Sequence, residues 1–175
     1  MLKPFTSNQQ TQNLQLEVDL LRLSTQQVRL TFTLSGDVTS VLWPEAPSFP
    51  ARRDQLWAHT CLEAFCAESS DSSAPYTEIN CAPNGDWNAY SFSSYREGMT
   101  PSSHITVRLE KVEQGTERGL FVLLLEHQLE WPSAFWGLTA VIEFKNQEKS
   151  YWSISHPGPA PDFHNKAGWQ PLSTH

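Results

Sequence analysis

At 175 residues, with a net charge of −7 and 39% apolar residues, the chain has the length of one domain and enough apolar content for a core without cross-links. Its longest basic run is the pair Arg52 and Arg53, so it lacks the clustered cations that grip phosphate backbones and anionic membranes; neither nucleic acid nor a membrane is an expected partner. The first residues, Met1-Leu2-Lys3-Pro4-Phe5-Thr6, form no apolar leader segment and the longest apolar run is residues 120–125, which predicts a cytoplasmic protein. Its three cysteines, Cys61, Cys66 and Cys81, are then expected as thiols, with a Cys61–Cys81 bridge as the alternative if those two stand opposite each other.

Residues 1–12 are polar and predict a flexible end; the remainder, 13–175, predicts a single domain. From there apolar residues recur every second position: Leu14, Leu16, Val18 and Leu20, then Val28, Leu30, Phe32 and Leu34. That period is the signature of a half-buried strand. After a turn at Ser35-Gly36-Asp37 a short strand is expected over 38–43, and the three prolines of 44–50 mark a loop. Strands are expected over 56–66 and 76–82, joined by a serine-rich loop, and over 87–95 after the turn Asn84-Gly85-Asp86. Further strands follow at 105–109, 120–125, 138–144 and 151–155, with helix confined to a turn or two near 132–136. The tail 156–175, with four prolines, is expected to be ordered only by packing. Nine or ten short, evenly spaced strands point to an all-β antiparallel sandwich of jelly-roll type.

The segment 56–66 is the richest in chemistry. As a strand it would present Trp57, His59, Cys61, Glu63 and Phe65 on one face, and the next strand would present Tyr76, Glu78 and Asn80. Paired as neighbours, they would bring Glu63 and Glu78 together among aromatic rings, with Trp87 or Tyr90 at the rim and Arg96 within reach of a carboxylate. Solvated carboxylates on adjacent strands are one outcome of that arrangement. The other is a groove in which aromatic planes stack on a sugar or similar ring while carboxylates and an amide hold its hydroxyls. A Glu63/Glu78 acid pair could also serve a glycoside hydrolase, which needs two carboxyl groups at a set separation. No metal-ligand spacing, C-x-x-C pair or glycine-rich phosphate loop is present, and His156 and His164 are expected as loop histidines.

The strings Asp54-Gln55-Leu56-Trp57-Ala58-His59-Thr60-Cys61-Leu62-Glu63-Ala64-Phe65, Tyr76-Thr77-Glu78-Ile79-Asn80-Cys81-Ala82-Pro83-Asn84-Gly85-Asp86-Trp87 and Ser150-Tyr151-Trp152-Ser153-Ile154-Ser155-His156-Pro157 resemble an uncharacterised bacterial DOMON-like family. The resemblance runs from about Trp43 onward. It implies a β-sandwich of the DOMON and family-nine carbohydrate-binding-module type, a non-catalytic module binding either a saccharide or haem b. For a sugar, Trp57, Glu63 and Asn80 match the binding positions, with Trp152 or Trp169 as the second tryptophan. For haem, the axial ligands would have to be Met99 with His156 or His164, and no methionine lies in the strands around Trp57 and Tyr76. The cofactor expectation is therefore none, with haem b as the alternative.

Overall fold

A strand with apolar side chains at every second position can bury only one face, so it needs a second layer to cover that face. The computed structural model describes residues 1–131 and 134–172 and answers this need with two packed sheets. Its strands are β1 (Lys3–Pro4), β2 (Leu14–Arg22), β3 (Gln27–Gly36), β4 (Cys61–Ala67), β5 (Tyr76–Cys81), β6 (Trp87–Phe92), β7 (Thr100–Pro101), β8 (Ile105–Gln114), β9 (Arg118–His127), β10 (Phe135–Glu143), β11 (Lys149–Ser153) and β12 (Gln170–Pro171). One sheet has the order β2-β3-β9-β8; the other runs β1-β11-β10-β4-β5-β6-β7, with β12 paired to β10. Every ladder between these strands is antiparallel.

The core lies between the sheets. Val28, Leu30, Phe32 and Leu34 of β3, with Phe121, Leu123 and Leu125 of β9, meet Leu62 and Ala64 of β4, Ile79 of β5, and Ala140 and Ile142 of β10. Each large apolar side chain buried there contributes about 1.5–3 kcal/mol. The chain leaves β3 at Gly36, whose φ of 102° and close approach, 2.1 Å from an added Cβ to the Asn13 carbonyl oxygen, admit no side chain.

Three expectations from the sequence are corrected. Residues 38–43 do not form a strand. Val38–Ser40 is a 3₁₀ turn, because the Ser40 hydroxyl donates to the Asp37 carbonyl at 2.7 Å, and only Val41 bridges to Phe144. The N-terminal residues carry structure: Leu2 is buried, Lys3 and Pro4 pair with Ser153 and Trp152, and α1 (Gln9–Gln12) is closed by a reciprocal Asn8–Thr11 capping box. The strand expected over 87–95 ends at Phe92. The helical turn expected near 132–136 lies partly outside the described residues, and Phe135 is already strand.

The outer face of the larger sheet is also covered, and the C-terminal tail covers it. Phe65, Ala67, Tyr76, Tyr90, Phe92 and Trp169 form a second apolar cluster there, flanked by Trp57, Phe135 and Phe163. Gly137 of β10 makes room for the Trp169 indole, since a Cβ at 137 would stand 2.5 Å from that ring. Trp169 Nε1 donates to the Phe163 carbonyl at 2.9 Å. The buried Lys166 ammonium donates to the carbonyls of Asp71 and Ala74 at 2.8 and 2.7 Å, tying the tail to the serine-rich loop. Hydrogen bonds as well as packing thus hold the tail. Among the described residues no helix is long and apolar enough to cross a membrane.

A carboxyl-floored cavity under the C-terminal tail

Register decides which side chains meet. Glu63 pairs with Asn80 across β4–β5 and with Thr139 across β4–β10, while Phe65 pairs with Glu78 and Glu78 with Tyr90. Glu63 and Glu78 are therefore diagonal neighbours on the outer face, within reach of one another. Above them the tail and the residues just before β4 leave a cavity of about 360 Å³. Glu63, Glu78 and Arg96 line it with the rings of Trp57, Phe65 and Phe92. Tyr151, Phe163 and His164 add to the wall, with the aliphatic side chains of Met99, Val141 and Pro161.

The two acids are desolvated. Burial, and after it the neighbouring Glu78 charge, pushes the Glu63 carboxyl well above the usual carboxylate range. Burial raises Glu78 as well, opposed by the hydrogen bond from Asn80 and by the Arg96 charge. Asn80, fully buried, donates from Nδ2 to Glu78 Oε1 at 2.7 Å and accepts the Cys61 thiol on Oδ1 at 3.8 Å. Thr139 Oγ1 lies 3.5 Å from Glu63 Oε2, and Glu63 Oε1 is buried without a hydrogen-bond partner.

A relay supports the far wall. The Tyr76 hydroxyl accepts the Arg96 amide at 3.1 Å and contacts His164 Nδ1 at 2.6 Å. With the hydroxyl proton on that contact, His164 is neutral and carries its own proton on Nε2, which faces Glu78 Oε2 at 3.8 Å. Burial, with the Arg96 charge, lowers the His164 pKa to about 4. The Arg96 guanidinium donates to Asp162 Oδ1 at 2.8 Å and Tyr95 to Asp162 Oδ2 at 2.6 Å.

The structure distributes the expected site residues as follows. Trp57, Glu63, Glu78 and Arg96 reach the cavity, and Asn80 lies beneath it as the orienting amide. Trp57 does so from a 3₁₀ turn, Leu56–Ala58, and not from a strand: Gln55 sits at φ 61° and the Ala58 amide donates back to the Gln55 carbonyl, so β4 begins only at Cys61. That turn sends His59 the other way, into a second cavity of about 540 Å³, where Nδ1 meets Glu143 Oε2 at 2.7 Å. Tyr90 stands behind the site, edge-on to Trp57 at 5.7 Å, its hydroxyl donating to Asp54 at 2.8 Å. Arg96 pairs with Asp162 instead of a floor carboxylate.

Trp87 and Trp152 face the inner core. Trp87 stands opposite Cys81 beneath the Arg52 guanidinium, and Trp152 opposite Ala140, with Nε1 donating to Ser150 at 2.8 Å. Cys81 pairs with Leu62 and points into that core, whereas Cys61 shares the outer face with Glu63, so the two thiols are not opposed; all three cysteines are free. Phe92, Tyr151 and Phe163 were not singled out in the sequence. The first was legible, two places beyond Tyr90 on the same strand face; the tail residue Phe163 has no periodicity to reveal it. His164 is a hydrogen-bonded loop histidine, and its loop sets it into this wall.

Of the histidines weighed for haem, His164 has its Nδ1 on the Tyr76 hydroxyl at 2.6 Å and His156 its Nε2 on the Lys3 carbonyl at 2.9 Å.

No protein-family model matches the chain, and no curated protein matches it in sequence. Among solved structures, a "putative carbohydrate-binding protein" from Bacteroides uniformis ATCC 8492 superimposes with a TM-score of 0.63 over 98% of this chain and 85% of that one, at 11% identity. The chain thus has the β-sandwich fold of that protein.

Proposed function

We propose that the chain binds a small saccharide or similar polyhydroxylated ligand in the cavity beneath its tail, without transforming it. The observation that carries this reading is a floor of two buried carboxyl groups, one with an unpartnered oxygen, inside a wall of aromatic rings. Rings bury the apolar faces of a sugar, and the floor exchanges hydrogen bonds with its hydroxyls. A volume of about 360 Å³ is at the small end of ligand sites and suits one or two sugar units. The Bacteroides neighbour's description as carbohydrate-binding and the resemblance to sugar-binding DOMON-like sandwiches support the same class.

Glycoside hydrolysis needs one protonated acid and one ionised carboxylate. Here burial drives both carboxyl groups toward the neutral form, which favours holding a ligand over cleaving it. The test is calorimetric titration with a panel of mono- and disaccharides, on the wild type and on Trp57→Ala. Loss of the ring should weaken binding by at least about tenfold, roughly 1.4 kcal/mol, with little change in thermal midpoint. If no saccharide binds, or if Trp57→Ala simply unfolds the protein, the reading fails.

A further inference from the structure

Glu63 holds an acceptor with nothing to accept. The residue is 2% exposed, Oε1 has no hydrogen-bond partner, and the carboxyl meets only the Thr139 hydroxyl, 3.5 Å from Oε2, and the weakly donating Cys61 thiol. Glu78, diagonal to it, has Oε1 taken by Asn80 at 2.7 Å, while Oε2 has the His164 imidazole no nearer than 3.8 Å. One oxygen of each acid is thus left for a visitor.

The one cation lining the cavity among the described residues, Arg96, reaches Glu78 with its charge but is held by Asp162 at 2.8 Å, and His164 is neutral with its Nδ1 held by Tyr76. The groups that act on Glu63 are Glu78, Thr139 and Cys61, none of them cationic. Two adjacent buried acids with no cation in contact with either carboxylate are held neutral in the empty site and offer a charged pair to a cation that enters.

We propose that the saccharide taken by this cavity carries a free protonated amine, its ammonium seated between Glu63 Oε1 and Glu78 Oε2 and its ring held against Trp57 and the neighbouring aromatic side chains. The inference rests on the saccharide reading above and adds the ligand's charge. An ammonium has three N–H donors on one atom and can serve both acids at once, and its charge lets them ionise and release the protons that burial holds on them; a hydroxyl has one donor and brings no charge. The aromatic rings of Trp57, Phe65, Phe92 and Phe163 line the same cavity, and a ring face presented to an ammonium attracts it further.

Glucosamine, glucose, N-acetylglucosamine and cyclohexylamine, titrated calorimetrically into the full chain at near-neutral pH, test this. Glucosamine should bind at least about tenfold more tightly than the other three, the scale of one charge-assisted contact. Glu63→Gln should remove most of that preference while its thermal midpoint stays at or above the wild type's, and Glu78→Gln, measured in the same way, covers a failure of the first variant to fold. Glucose binding as tightly as glucosamine would overturn the amine and leave the saccharide reading standing. Cyclohexylamine binding as tightly as glucosamine would overturn the sugar ring, and with it both readings; no binding by any of the four would do the same.

Discussion

Glu63 and His164 face one cavity, and burial pushes each toward its neutral form. The consequences for stability have opposite signs. For His164 the unfolded pKa is near 6.5 and the folded one about 4, so below 6.5 the unfolded chain takes up a proton that the folded chain refuses. Stability therefore falls as pH drops from 6.5 to about 4, by about 3 kcal/mol at most. His164→Gln should show a flatter thermal midpoint across that window; equal slopes in the two proteins would contradict the burial of a neutral imidazole. For Glu63 the unfolded carboxyl ionises near about 4.3 while the folded one stays protonated, so stability declines as pH rises from there through its raised folded value. Glu63→Gln should lose that decline, and its advantage in midpoint over the wild type should grow with pH; a constant difference would show an ordinary, solvated carboxyl. These acids were legible in the sequence, because period-two alternation alone puts Glu63 with Phe65 and Glu78 with Asn80. Trp87 and Trp152 were not: a tryptophan suits a core as well as a site, and only pairing with Cys81 and Ala140 puts these two inside.

At the level of elements, the site depends on a turn and a tail. Segment 56–66 reads as one strand, but Gln55 in the left-handed region and the 3₁₀ turn after it divide the segment, so Trp57 enters one cavity and His59 another. Alternation cannot reveal such a break, since Leu56, Trp57 and Ala58 are apolar in succession and β4 after them is buried on both faces. The tail hides its role for a different reason: its side chains pack singly, each held by its own partner. Gly137 is one of these partners. Replacing it with Ala sets a methyl group 2.5 Å from the Trp169 ring, and displacing that indole should cost about 1–3 kcal/mol. Hydrogen exchange should then quicken at residues 163–169, with sugar affinity falling alongside. Unchanged exchange would mean that Trp169 does not anchor the tail.

Across the whole molecule, the two sheets differ in how openly they declare themselves. The four-stranded sheet has one buried face, and β2 and β3 alternate accordingly. The larger sheet lies between the inter-sheet core and the tail, so β4 is buried along its whole length and its pattern approaches a continuous run. The sandwich was therefore legible from its smaller sheet, whereas the second covering layer, and with it the cavity, was not. The fold shared with the Bacteroides protein at 11% identity fits a frame set by such patterning more than by particular residues. The central claim, that a sugar-class ligand enters beneath the tail, is tested most directly by an NMR titration of the full chain with glucosamine. The predicted result is a cluster of shifts at Trp57, Phe92, Thr139 and His164, with Trp43, His59 and Trp87 unmoved. Shifts confined to Trp43 and His59, around the second cavity, or no shifts at all, would contradict it.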